Sequence, residues 1–175
     1  MSFKKVSFLI ALCSFLLIAD VLSKAYAYYY LPPLGWSSPV YPYGGIGVFK
    51  DFFGIDFSLN YAMNKGAAWG ILASFQQYLL YARLLIITVL STYILVGKMP
   101  YFKRLSLSLI TIGAIGNVID YFVYGHVVDM FYFVFWGYSY PVFNIADSSI
   151  FLGVCSLFLY SFLEKKSQKL ALKNE

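Results

Sequence analysis

Three carboxylates follow one another through the most apolar half of this chain, in the runs Gly113-Ala-Ile-Gly-Asn-Val-Ile-Asp120, Gly125-His-Val-Val-Asp129 and Phe143-Asn-Ile-Ala-Asp147. An ionised acid in lipid costs several kcal/mol even after snorkelling and local water defects, so acids in such positions point to function. Two carboxylates held close together cannot both ionise easily, which leaves one protonated and one charged. Such a pair is equipped for hydrolysis. The charged member deprotonates a water, and the protonated member donates to the developing oxyanion and then to the leaving group. A fourth acid, Asp20, precedes Lys24 by one helical turn, in the order that favours an ion pair on one helix face.

Each of these residues also has a plain structural reading. Asn144 stands three positions before Asp147 at an expected helix start, so the two suit an N-cap and an N3 acid. Asp129 reads equally well as a solvated interfacial acid. Asn117 and Asn144 are polar residues of the kind that hydrogen-bond backbone or neighbouring helices in membrane bundles. His126 is the only histidine and has no second histidine or cysteine at ligand spacing, which favours a structural or interfacial role over a metal site.

The elements that must position these side chains are membrane spans. Apolar residues make up 61% of the chain, aromatics 21% and charged residues 12%, and the mean hydropathy is +0.71, far from a soluble domain. Four spans are expected, at about 6–30, 71–96, 105–124 and 143–163, each long enough to cross a hydrocarbon core of roughly 30 Å. The stretch between the first two, about 32–66, is rich in Pro, Gly and aromatics. Its short apolar pieces, 46–49 and 55–61, suit brief strands, so a small β-like platform is expected on one membrane face. The fold class is therefore an all-α integral membrane protein, a four-helix bundle with that platform, forming one membrane-embedded domain over 1–175. Cys13 and Cys155 lie inside apolar runs and read as small buried hydrophobes.

Basic residues set the orientation. Lys4, Lys5, Lys98, Lys103, Arg104, Lys165, Lys166, Lys169 and Lys173 fall on one side of the four-span arrangement, whereas Lys50 and Lys65 are on the other. The positive-inside rule then puts both termini in the cytoplasm and the platform outside. Topology and anionic lipid account for the net charge of +5, and no nucleic-acid partner is implied. Lys4-Lys5, an apolar run and Ala25-Tyr-Ala27 imitate a cleavable secretory signal, but Asp20 and Lys24 interrupt the run, so it reads as a retained first helix.

Taken in order, Asp20-Val-Leu-Ser-Lys24, Asn64-Lys-Gly66-Ala-Ala-Trp69-Gly70, Gly113-Ala-Ile-Gly-Asn117-Val-Ile-Asp120, Gly125-His-Val-Val-Asp129 and Phe143-Asn144-Ile-Ala-Asp147 resemble the bacterial lipoprotein signal peptidases, signal peptidase II. The resemblance implies an aspartic endopeptidase of the bacterial inner membrane, working toward the outer leaflet. Its substrates would be prolipoproteins, cut just before a diacylglyceryl-modified cysteine. It places the catalytic acids on Asp129 and Asp147 and implies supporting or substrate-contacting roles for Asp20, Lys24, Asn64, Gly66, Asn117, Asp120 and Asn144. Neither cofactor nor metal is required, membrane lipid is a partner, and a monomer is expected. The chain departs from the family pattern at Tyr121, where arginine is usual; a phenol supplies neither fixed charge nor a bidentate fork. Arg83, at a similar depth in the second span, is a candidate to meet Asp120 instead. Two other function classes stay open on the residues alone: a small transporter subunit relaying protons or cations through Asp20, Asp120 and Asp147, and a catalytically inactive lipid-binding relative.

Overall fold

The computed structural model describes residues 2–35, 44–65 and 73–173 of the 175-residue chain. Among these residues four helices are each long and apolar enough to cross a membrane. Helix α1 is Phe3–Tyr30, α2 is Gln76–Val96 after a 3-10 turn at Ala73–Phe75, α3 is Tyr101–Tyr124, and α4 is Ile145–Lys173. The protein is a multi-pass membrane protein, and the four expected spans coincide with these helices to within a few residues at most ends.

Helix α3 is the central one. Half of its most apolar stretch is buried inside the protein, against 6–17% for the other three. Small residues let its neighbours come close, the usual solution where lipid removes any hydrophobic drive between helices. A Cβ on Gly113 would fall on the carbonyl oxygen of Ala146 in α4, and one on Gly116 would lie 2.6 Å from the carboxylate of Asp20 in α1. The apolar surfaces left over, such as Phe15, Leu85, Val89, Phe151 and Phe158, are exposed at the helix flanks, as lipid-facing side chains should be.

The platform is a four-stranded antiparallel sheet in the order β1 (Ile46–Phe52), β2 (Ile55–Asn64), β3 (Val127–Phe135) and β4 (Tyr138–Ser139). Two matching hairpins build it. Phe53-Gly54 joins β1 to β2 and Trp136-Gly137 joins β3 to β4, all four residues with positive φ, the signature of type I′ turns whose twist suits a hairpin. The turns abut, since the Trp136 amide donates to the Gly54 carbonyl at 2.7 Å.

The strands near 46–52 and 55–64 agree with the sequence reading, but half of the sheet was not anticipated. β3 and β4 come from the segment after α3, and β3 is the inner strand that joins the platform to the bundle. Register then matters: Ala62 pairs with Asp129 and Asn64 with Val127, which brings the end of β2 alongside Asp129.

Candidate active site

Lys24 is fully buried near the end of α1, and its ammonium has three partners for its three protons. It sits 2.7 Å from Asp20, 2.8 Å from Asp120 of α3, and donates to Asn117 Oδ1 at 2.9 Å. The Asp20–Lys24 pair expected from their spacing is present, and Asp120 extends it into a triad. A buried lysine is tolerable only under such saturation. Lys24 thus supplies Asp120 with a cation from α1. Tyr121 turns its half-buried ring edge-on to Phe122.

Both acids of the triad pass the order onward. Asp20 Oδ1 accepts the backbone N–H of Ala146 at 2.8 Å, and Asp120 Oδ2 accepts that of Val128 at 3.1 Å. One contact fixes the first turn of α4 and the other fixes β3, the two elements that carry Asp147 and Asp129.

Asn144 precedes α4 and does two things. Its Oδ1 accepts the Asp147 N–H at 2.8 Å, while its own N–H lies 3.4 Å from Asp147 Oδ2. This is a reciprocal cap of the capping-box kind. Its amide nitrogen donates to Asp129 Oδ1 at 2.6 Å and also lies 3.2 Å from Asn117 Oδ1 and 3.3 Å from the Val128 carbonyl. Asn117 Nδ2 donates to Asp147 Oδ1 at 2.8 Å, and Asn64 Nδ2 to Asp129 Oδ2 at 3.0 Å. Asp129 and Asp147 are thereby joined through Asn144. The helix-cap reading of Asn144 is met by this geometry, and the same side chain reaches Asp129.

Asp129 is 2% exposed. Burial, and then the neighbouring charge of Asp147, push its pKa up from 3.8 to about 7, against the opposing pull of the Asn64 and Asn144 amides. The pair therefore prefers to share one proton near neutrality. Asp147 opens onto a cleft of about 350 Å³ whose other walls are Tyr140, Phe143, Ser148, Phe151 and Leu152. An apolar cleft with a carboxylate at one side suits a hydrophobic chain presenting a polar bond to the acids.

Of the residues nominated from sequence, Asp129, Asp147, Asp20, Lys24, Asn64, Asn117, Asp120 and Asn144 all converge in this one network. Gly66, and with it Trp69 and Gly70, lies outside the described residues. The cleft residues were missed, because Tyr140, Phe143 and Phe151 look like ordinary interfacial aromatics in the sequence. His126 is buried, with Nε2 2.7 Å from the Tyr61 hydroxyl and its pKa lowered by burial; it packs among tyrosines as a structural residue should. Among the described residues no three His, Cys, Asp or Glu side chains are grouped so as to hold a metal ion.

The sequence family described as Signal peptidase (SPase) II matches residues 12–163. A protein named lipoprotein signal peptidase from Clostridium tetani (strain Massachusetts / E88) is 40% identical over 121 residues, covering 68% of this chain and 75% of that protein. One of the same name from Bacillus pumilus (strain SAFR-032) is 43% identical over 108 residues, covering 61% and 69%. A bacterial membrane enzyme solved by the in meso method at 2.3 Å resolution has a TM-score of 0.73 at 27% identity, covering 94% of this chain and 92% of that one.

Proposed function

The chain belongs to the signal peptidase II family, and from that premise we propose that it is an aspartic endopeptidase that removes signal peptides from diacylglyceryl-modified prolipoproteins, cleaving before the lipidated cysteine. The observation that carries this reading is the meeting of Asp129 on β3 with Asp147 on α4, bridged by Asn144 beside an apolar cleft.

The chemistry runs through one shared proton. The ionised carboxylate deprotonates a water, which attacks the scissile carbonyl. The protonated carboxyl donates to the carbonyl oxygen as charge builds there, and a proton is then passed to the leaving amine. The apparent pKa values belong to the pair, so base and acid are not assigned to single residues. Asn64, Asn117 and Asn144 hold the two acids at fixed angles, and the Asp20–Lys24–Asp120 triad holds the elements that bear them.

Membrane lipid and the lipid-modified prolipoprotein are the partners, and the protein acts as a monomer in the bacterial inner membrane. Both termini face the cytoplasm and the dyad lies toward the outer leaflet, where the platform rests on the interface. Excess Lys and Arg at the opposite end of the bundle supports that orientation.

Lipid on the substrate should decide selectivity. Acyl chains buried beside the bundle add about 0.8 kcal/mol of binding per CH₂, and they fix the cysteine at the interface and so set the bond that reaches the dyad. Purified protein offered a diacylglyceryl prolipoprotein and its unlipidated twin should cleave the first at least tenfold faster. Equal rates on both would remove the lipid from the recognition scheme.

A further inference from the structure

A second cavity lies at the far end of the bundle, where α1 and α3 begin and α2 ends. Its volume is about 610 Å³, and its lining includes Ser2, Lys5, Gly97, Lys98, Tyr101 and Arg104. From Tyr101 to Asn117 is about 24 Å along α3 at ~1.5 Å per residue, so this cavity has no part in the dyad.

Its charge is one-sided. The Lys5 ammonium sits 5.4 Å from the centre of the Tyr101 ring. The Arg104 guanidinium donates to the carbonyls of Ile94 and Gly97 at the end of α2; these neutral acceptors orient the fork without cancelling its charge. Among the described residues none of Lys5, Lys98 and Arg104 pairs with a carboxylate. Two helix N-termini add to the positive field, because Ser2 before α1 and Pro100 before α3 make no side-chain cap.

An apolar groove adjoins this cavity at Leu95. It is about 290 Å³, runs between α1, α2 and α3, and is lined by residues including Cys13, Ser91, Ile94, Leu95, Thr111 and Ile115. Leu95 lines both spaces, and Ile94, whose carbonyl takes Arg104, lines the groove. Ile115 stands about 21 Å along α3 from Tyr101 at ~1.5 Å per residue, deeper than half of a hydrocarbon core of roughly 30 Å. A basic pocket at the interface beside an apolar groove that reaches one leaflet deep suits a molecule with an anionic head and an apolar tail.

We propose that this end of the protein binds one anionic phospholipid, with its headgroup phosphate among Lys5, Lys98 and Arg104 and an acyl chain in the groove between α1, α2 and α3. The phosphate relieves the mutual repulsion of three cations and two helix dipoles, and the chain fills a seam that the protein's own side chains leave open. Free inorganic phosphate shares the headgroup chemistry but gains nothing from the groove.

The test uses the full chain in neutral detergent, with native mass spectrometry and thermal unfolding read during titration with phosphatidylglycerol, phosphatidylcholine or inorganic phosphate. Phosphatidylglycerol is expected to be retained and to raise the unfolding temperature, with phosphatidylcholine at least tenfold weaker and inorganic phosphate weaker still. The double variant Lys5→Gln/Lys98→Gln changes two exposed side chains and should weaken phosphatidylglycerol at least tenfold while leaving phosphatidylcholine unaltered. Ser91→Phe, which obstructs the groove, should weaken the lipid and leave the response to inorganic phosphate unchanged. Equal binding of the two phospholipids by the unaltered protein overturns the proposal. So does protection by inorganic phosphate equal to that by phosphatidylglycerol, which would make this an anion site without a lipid.

Discussion

Asn144 joins two tasks that usually fall to separate residues, capping a helix and holding a buried acid of another element. Because its carbonyl oxygen is committed to the Asp147 N–H, its amide nitrogen is left facing Asp129, and the cap fixes which way round the side chain sits. Asp129→Asn and Asp147→Asn keep the shapes of this network while removing an acid or a base. Each should lower kcat/KM on lipidated substrate by at least ~10²-fold in protein that still folds. The double variant should be hardly worse than either single one, since the acids act as a unit. Asp51→Asn, at a platform position with φ 53 that asparagine tolerates, is the control and should leave turnover unchanged.

The raised pKa of Asp129 has consequences of a definite sign. Its value of about 7 lies above the ordinary 3.8, so the folded protein holds a proton that the unfolded chain releases. Its contribution to stability is fully present below pH 3.8 and is lost as pH rises through about 7. Activity should fall over the same upper range, because both acids are then ionised. A pH series of kcat/KM should show an alkaline limb near 7, and unfolding temperatures of Asp129→Asn should decline less from pH 5 to 8 than those of the unaltered protein.

At the scale of elements, the helices were legible and half of the sheet was not. Hydropathy over windows of about 20 residues finds spans directly. Val127–Phe135, in contrast, is a nearly unbroken apolar and aromatic run with no alternation, and a strand of that kind cannot be told from buried helix by period alone. Its partner β2 lies far earlier in the chain. Of the site, Asp129, Asp147 and their asparagines were legible because they sit in motifs; the cleft of Tyr140, Phe143 and Phe151 was not, because its residues resemble any interfacial belt. The triad shows why several elements depend on one lysine. Lys24→Met would leave Asp20 and Asp120 buried without their cation, and breaking a buried pair from one side costs about 3–5 kcal/mol. A large drop in unfolding temperature in detergent is expected. Adding Asp20→Asn and Asp120→Asn should recover part of it by removing the stranded charges. No recovery would mean that Lys24 holds these helices by packing of its stem instead of by charge.

Across the whole molecule, Asp129, Asp147 and the sheet share one end of the bundle while Lys5, Lys98 and Arg104 occupy the other, so a label on either end reports the side on which the proposed hydrolysis would take place. The expected side is external, because a signal peptide reaches its peptidase after export and the cationic end is held back by the positive-inside bias. Cys13 and Cys155 lie within α1 and α4; replacing both with alanine gives a background without native thiols. Lys50→Cys on exposed β1 and Lys98→Cys in the exposed link between α2 and α3 then mark the two ends. In intact spheroplasts a membrane-impermeant maleimide should modify the cysteine at position 50 at once and that at position 98 only after permeabilisation. The opposite pattern would put Asp129 and Asp147 against the cytoplasmic leaflet, out of reach of an exported prolipoprotein, and the proposed substrate would have to be given up even if the dyad variants were inactive.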